Sequence, residues 1–323
     1  MARRARSSTI EASGIAVATK QFNWRLYLRK YWILYAMLVP VLAYFIIFKY
    51  APMYGVIIAF KRYNPARGIL GSPWVGLRHF ESFFGSIYFW SILRNTLLIN
   101  FYSLIFGFPI PILFALMLNE LRSIVFKRSV QTVSYLPHFI STVVVVGIIF
   151  DFLNPDRGII TILLDKILGL EPRVWLNQPR AFRPIFVISG IWQSMGWSAI
   201  IYIAALSAID TQLYEAATID GCGTIRKMIN VTIPGILPTI VIMLILRMGQ
   251  LLNIGVEKVI LLYNPLTYET GDVISSFVYR RGFAERPNPS FATAVGLFNQ
   301  GINLLFLVAA NALSRRVTET SLW

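Results

Sequence analysis

Six stretches of about twenty mostly apolar residues constrain this chain more than any other feature; they fall at 31–50, 95–119, 133–153, 184–206, 236–254 and 291–313. A helix needs about that length, ~20 residues, to cross the hydrocarbon core of a bilayer. In lipid every backbone N–H and C=O must find its partner inside the protein, so such stretches are helical. The chain is read as an all-α polytopic membrane protein with six transmembrane helices. Pro40, Pro109 and Pro111 lie inside the stretches, which bundled helices tolerate when neighbours satisfy the freed carbonyls. Composition agrees: 14% of residues are charged and 56% are hydrophobic, against about 25% charged in ordinary soluble domains.

The net charge is +15. No RNA- or DNA-binding motif accompanies it, and the basic residues flank apolar stretches, where anionic headgroups are the natural partner. Membrane lipid is therefore expected as a partner, and nucleic acid is not. The first 30 residues carry Arg3, Arg4, Arg6, Lys20, Arg25, Arg29 and Lys30. The short loop 120–132 adds Arg122, Lys127 and Arg128, and the end adds Arg315 and Arg316. By the positive-inside rule these segments are cytoplasmic, with both termini on that side. The segments placed outside, 51–94, 154–183 and 255–290, carry about as many basic residues, so the orientation is read from the N-terminal stretch and the short loop. Within the first of them, residues 74–84 read as a short helix on the membrane surface. The chain divides into a cytoplasmic basic segment 1–30, a six-helix domain 31–313 and a cytoplasmic tail 314–323.

One cysteine, Cys222, and two distant histidines, His79 and His138, support neither a disulfide nor a zinc site. No nucleotide-binding or hydrolytic motif is present. The chain is not expected to be an enzyme, and no cofactor is expected on it.

Between the fourth and fifth stretches lies a polar, helix-forming insert, 207–235. Asp210 or Thr211 suits the cap of a first helix. Gly221 suits its left-handed stop, and Gly223-Thr224 a second start. The second helix, 224–231, is expected to end before Pro234. The resulting helix–turn–helix presents Glu215 and Asp220 to the cytoplasm. On spacing alone, a solvated loop of helical propensity accounts for the segment equally well.

The insert resembles the E-A-A signature of the permease subunits of bacterial ABC importers, E-A-A-x-x-D-G-A followed by a spacer and I-x-L-P. Glu215, Ala216, Ala217, Asp220, Gly221 and Pro234 match, and Cys222, Val231 and Ile233 are conservative departures. The resemblance covers most of the chain. It is similar to the carbohydrate-uptake class, in the branch serving complex oligosaccharides and polysaccharides. Tyr63-Asn64-Pro65, Pro109-Ile110-Pro111 and the segment Gly271-Asp272-Val273-Ile274 carry this, with Arg315, Arg316 and the final Ser321-Leu322-Trp323.

The resemblance implies a location in the bacterial cytoplasmic membrane and a division of labour. A second, related and non-identical permease subunit completes the pore. Two ATP-binding cassette ATPase subunits hold ATP and magnesium. An extracytoplasmic solute-binding protein delivers an oligosaccharide or polysaccharide, which crosses by alternating access. Glu215, Ala216, Ala217, Asp220 and Gly221 become the coupling site, with Glu215 meeting an ATPase arginine.

Polar residues inside apolar spans are costly and point to function. Trp192, Gln193, Ser194 and Trp197 lie in span four, and Arg247, Gln250 and Asn253 in span five. The three-residue steps of the second set keep it near one helix face. Asn299, Gln300 and Asn303 lie in span six. Hydrogen bonding between spans explains any one of these as well as substrate contact does. Register from the E-A-A motif favours the first two sets, because maltose-type members of the family contact sugar from the spans before and after the insert. Arg247 would pair with Asp151 or Glu257, or meet an anionic cargo. With the basic external loops it points toward uronate-containing glycans. An ion-coupled secondary transporter is the alternative. It requires a carboxylate near the bilayer midplane and paired broken helices, and no inverted repeat is visible.

Overall fold

A computed structural model describes residues 24–284 and 287–318. The basic segment expected at 1–30 and the tail expected at 314–323 lie partly outside the described residues. Two compact units are distinguished, Met1–Gly55 and Val56–Trp323. The first holds α1 (Trp24–Phe45), kinked at Tyr31, where φ is −113° and ψ is 18°. The helical run Arg29–Phe60 is long and apolar enough to cross a membrane.

The second unit is helical throughout its described regular structure. It contains α2 (Arg78–Phe84), α3 (Phe89–Ile105), α4 (Pro109–Asn119), α5 (Ile124–Tyr135), α6 (Thr142–Phe152) and α7 (Ile159–Leu168). The long α8 (Pro179–Ser207) follows, then α9 (Thr211–Ile219), α10 (Ile233–Met248), α11 (Val256–Leu262), α12 (Ile274–Tyr279) and α13 (Pro289–Thr318). Among the described residues there are 5 helical runs of membrane-crossing length, or up to 6 if one bent pair counts as a span.

That bent pair corrects the expectation of a continuous third span at 133–153. Ile124–Phe139 and Thr142–Phe152 meet at 103°. The cause is local. Pro137 tightens Leu136–Phe139 into a 3-10 turn, and Ser141, in extended backbone, caps α6 by accepting a hydrogen bond from the Val144 N–H. The break frees the Ile140 carbonyl, and Gln193 Nε2 on α8 donates to it at 3.1 Å.

Two further expectations are corrected around the fifth span. The second helix of the insert does not end before Pro234 but runs on from Thr224 to Met248. A π-turn at Met228–Thr232 precedes the proline, and Ile233 N–H reaches back to the Met228 carbonyl. That wider turn accommodates the missing proline donor without breaking the helix. At the other end the helix stops at Met248, capped at Gly249. Gln250 lies in a turn and Asn253 in irregular chain, so neither shares a helix face with Arg247.

Segments expected as outer loops are folded onto the body. Phe83 on α2 is fully buried in an apolar cluster with Phe89, Phe277 and Val295. The helix packs against α13. Val259, Leu262 and Val273 join Val145 and Ile149 in a second core.

The bundle is drawn together by small residues. Ala115 of α4 and Ala199 of α8 are fully buried against each other's helices. At Gly196 an added Cβ collides with the Ser134 carbonyl at the end of α5. Small residues at such crossings let backbones approach closely. Gly196→Ala is expected to lower the detergent-solubilised melting temperature by several degrees, the effect of overpacking worth about 1–3 kcal/mol. Gly301→Ala, with open space at its Cβ, serves as the control that leaves it unchanged.

Candidate functional site

Two features stand out, a helical elbow between α8 and α10 and a polar cavity inside the bundle. The elbow is built by its caps. The Asp210 side chain accepts from Gln212 N–H at 2.9 Å and starts α9. At the far end Gly221 takes φ of 72°. Its N–H donates to the Thr218 carbonyl, and Cys222 N–H reaches the Ala217 carbonyl at 2.9 Å. That paired return is the Schellman stop, which needs a left-handed residue where only glycine is unstrained. Tyr214 Oη donates to Thr232 at 3.1 Å, and Lys227 Nζ to Thr218 at 3.2 Å, tying α9 to the start of the fifth span.

This geometry divides the coupling residues expected from sequence. Ala217 is buried and Tyr214 half-buried, while Glu215, Ala216 and Asp220 are exposed. Glu215 makes no ion pair among the described residues. Ile219 is 87% exposed, and Leu213, Ile225 and Ile229 are exposed beside it. The elbow thus presents a carboxylate flanked by aliphatic side chains on a rigid, doubly tied support.

The polar cavity has a volume of about 430 Å³. It forms where helices are interrupted: the break between α3 and α4 at Gly107-Phe108, the start of α6 at Thr142, and the region between α10 and α11 at Gly255. Gln193, Ser194 and Arg247 line it. Arg247 occupies the last turn of α10, where the helix dipole favours a cation. It pairs with neither Asp151, which meets Arg157 at 3.8 Å, nor Glu257.

Lys258 also lines the cavity, and the sequence reading missed it. It sits one turn into α11, 8% exposed, with Nζ donating to the Phe186 carbonyl at 3.1 Å and lying 4.9 Å from the Phe186 ring. No described carboxylate pairs with it, and burial pushes its ammonium down to about 8. The signal was present in Val256-Glu257-Lys258-Val259-Ile260-Leu261-Leu262, where a lone lysine interrupts an apolar run. Among the described lining residues there are two full cations and no Asp or Glu.

Trp192, Trp197, Gln250 and Asn253 do not line this cavity. Trp192 faces a separate apolar cleft of about 630 Å³ between α6, α7 and α8. Trp197 stacks on His138 at 4.6 Å and 3°, bracing the bend before α6. Asn253 Oδ1 accepts from Asn299 at 3.2 Å and Asn303 at 3.0 Å, joining the fifth and sixth spans. Gln250 is exposed in its turn. Ser194 lines the cavity while its hydroxyl donates back to the Gly190 carbonyl at 2.7 Å.

A buried ion pair joins Asp272 and Arg280, which flank α12. Arg280 meets Asp272 at 2.6 Å, with side chains 15% and 10% exposed, and Ser276 Oγ donates to the same carboxylate at 2.7 Å. Burial alone lowers the guanidinium pKa, but the hydrogen bond and charge of Asp272 outweigh it and hold it above its usual value. Asn95 of α3 donates to the Glu269 and Asp272 carbonyls at 2.9 and 3.0 Å. Asp272→Ala removes the carboxylate that meets Arg280 at 2.6 Å and is expected to lower the melting temperature of the purified protein.

Apolar spans around a cationic cavity, with a rigid polar elbow between the fourth and fifth, define a transport permease. The chain belongs to the family of binding-protein-dependent transport system inner membrane components, whose pattern matches residues 107–319. It is accordingly a multi-pass inner-membrane protein. It is 41% identical over 309 residues to Protein LplB of Bacillus subtilis, with 96% of each chain covered. It is 43% identical over 290 residues to the polygalacturonan/rhamnogalacturonan transport system permease protein YteP of the same organism, with 90% of each covered. A chain from the crystal structure of a bacterial ABC transporter involved in import of the acidic polysaccharide alginate superposes with a TM-score of 0.82 at 43% identity. The match covers 91% of this chain and 99% of that one. A second structure, of a bacterial alginate ABC transporter in complex with an alginate pentasaccharide-bound periplasmic protein, gives 0.83 at 42% identity, covering 93% and 99%.

Proposed function

We propose that this permease subunit carries acidic oligosaccharides or polysaccharides, uronate-containing glycans among them, inward through an ATP-driven importer. The observation that carries the reading is the pair Arg247 and Lys258, facing one cavity with no described carboxylate to neutralise them. Burial disfavours an unpaired cation, and an anionic group on the cargo offsets that cost. Gln193, Ser198 and Ser103 supply the neutral donors and acceptors that sugar hydroxyls need. Polygalacturonan and alginate, named for the relatives, are acidic polymers, which supports the same cargo class.

The elbow is the coupling site in this reading. Both termini and the elbow face the cytoplasm, where Glu215 and the aliphatic side chains around it dock on an ATPase subunit that binds ATP and magnesium. A second, related permease completes the pore, and a solute-binding protein delivers glycan from outside. Segments 1–30 and 314–323 flank the transport domain on the cytoplasmic side. Closure of the ATPase dimer pushes the elbow. Its ties through Tyr214 and Lys227 pass the motion to the fifth span, which carries Arg247. Coupling of this kind requires an element whose two states both sites bias.

The test is uptake into proteoliposomes holding the assembled complex, with ATP inside and glycan-loaded binding protein outside. The reading expects accumulation of a uronate oligosaccharide that requires ATP and survives collapse of ion gradients. Uptake driven by an ion gradient without ATP contradicts it.

A further inference from the structure

A further cation lies on the face of α8 that lines the transport cavity, toward the end remote from the elbow. Val187, Gly190, Ser194 and Ser198 line the cavity. Arg183 precedes them by 4, 7, 11 and 15 residues, so it falls on the same face of the continuous helix Pro179–Ser207. A Cβ added at Gly190 would lie 3.6 Å from Lys258 Nζ, which sets that ammonium against this face. At a rise of about 1.5 Å per residue, Arg183 stands about 10 Å along the helix from Gly190.

The Arg183 guanidinium is held in place. Its Nη2 donates to Asn95 Oδ1 of α3 at 2.8 Å. Asn95 is fully buried, and its Nδ2 donates to the Glu269 and Asp272 carbonyls at 2.9 and 3.0 Å. Carbonyls only accept, so the amide cannot turn over and Oδ1 faces Arg183. Arg183 Nε is enclosed and has no hydrogen-bond partner among the described residues, while the residue as a whole is half-buried. It makes no ion pair among the described residues. Arg94, beside Asn95 on α3, adds a repelling charge, and the Glu269 carboxylate attracts it from beyond ion-pair distance.

A neutral donor could satisfy the Asn95 oxygen without the dehydration cost of a half-buried cation. Ser103, 8 residues along α3 from Asn95, lines the cavity together with Gly190, so the seam that Arg183 and Asn95 join leads to it. We propose that Arg183 is a specificity-determining residue of the transport path, meeting one carboxylate of an acidic glycan while others of the same chain meet Lys258 and Arg247. The inference rests on the importer reading above and adds to it a requirement on chain length. A glycan long enough to reach from Arg183 to Lys258 gains both contacts at once, and a shorter one gains them only in turn.

The experiment uses the whole reconstituted complex, with ATP inside the vesicles and saturating loaded binding protein outside. Uptake is measured for a uronate disaccharide, a uronate pentasaccharide and a neutral pentasaccharide. Arg183→Gln is expected to lower uptake of the uronate pentasaccharide about 10-fold, the low end for loss of a charge-assisted contact, and to leave the other two unchanged. Arg183→Lys, which keeps the charge, is expected to recover most of that loss. The ratio of the two pentasaccharides within one preparation does not depend on how much complex has folded, so a variant that folds poorly still gives the answer. Equal loss for all three glycans makes Arg183 a structural tie to Asn95 and overturns the proposal, as does equal loss in the Gln and Lys variants. Loss shared by both uronate glycans contradicts simultaneous contact and also overturns it. If Arg183→Gln leaves the uronate pentasaccharide unchanged while Arg247→Gln/Lys258→Met loses the uronate preference, this proposal falls and the importer reading stands. If the unaltered complex accumulates no uronate glycan with ATP, both fall.

Discussion

Replacing Glu215 with Ala is expected to reduce glycan uptake ~100-fold, matching the loss of about 3 kcal/mol when one partner of a docked charge pair is truncated. The side chain is exposed on α9 and has no ion pair within the described chain, so its loss costs the fold little. The complex should either lose its ATPase or hydrolyse ATP without transport. Gly221 tests the same elbow from the backbone. Its φ of 72° suits glycine, and nothing lies within 4 Å of an added Cβ. Gly221→Val therefore strains only the backbone, by about 2 kcal/mol, while Gly221→Asn, which tolerates the left-handed region, keeps most activity. Paired measurement of uptake and ATP hydrolysis in the three variants checks this. Equal loss in the Asn and Val variants indicates a docking contact at that position instead of a conformational requirement.

The second large effect concerns the cavity. Arg247→Gln and Lys258→Met, singly, are each expected to lower uptake of a uronate oligosaccharide about 10- to 100-fold, the loss of a charge-assisted contact worth roughly 1.5–3 kcal/mol. Uptake of a neutral oligosaccharide of equal length should change little. pH separates the two cations. With its pKa held near 8 by burial, Lys258 loses its charge as pH rises through that value. Preference for acidic over neutral cargo should therefore fall between about pH 7 and 9 in the unaltered protein. In Lys258→Met that slope should vanish, since guanidinium stays charged throughout. Competition uptake with the two labelled glycans across that range gives the answer. A slope that persists in Lys258→Met assigns the titration to another group.

Much of this was legible in the sequence because the bilayer imposes simple rules. Stretches near twenty apolar residues mark helices, and the turn at Gly221 follows from glycine's access to left-handed backbone. The elbow's first helix appears where its caps place it, with Asp210 at one end and Gly221 at the other. What was not legible depends on breaks within helices. Apolar composition alone does not reveal that Pro137 and Ser141 turn the third span through a sharp bend. It does not reveal that a π-turn carries the fifth span through Pro234, or that the helix stops at Met248. Those breaks redirect the side chains. Trp197 braces a bend, Asn253 joins two spans, and Trp192 faces the apolar cleft. They also bring Lys258, from a segment that reads as an outer loop, to the cavity that Arg247 lines.

The central claim is that this subunit moves acidic glycan through the cavity holding Arg247 and Lys258 at the expense of ATP. The most direct measurement is ATP-dependent accumulation of labelled uronate and neutral oligosaccharides in proteoliposomes, comparing the unaltered complex with Arg247→Gln/Lys258→Met. The account predicts ATP-dependent accumulation that favours the uronate in the first and loses that preference in the second, with neutral uptake retained. An unchanged preference in the double variant contradicts it.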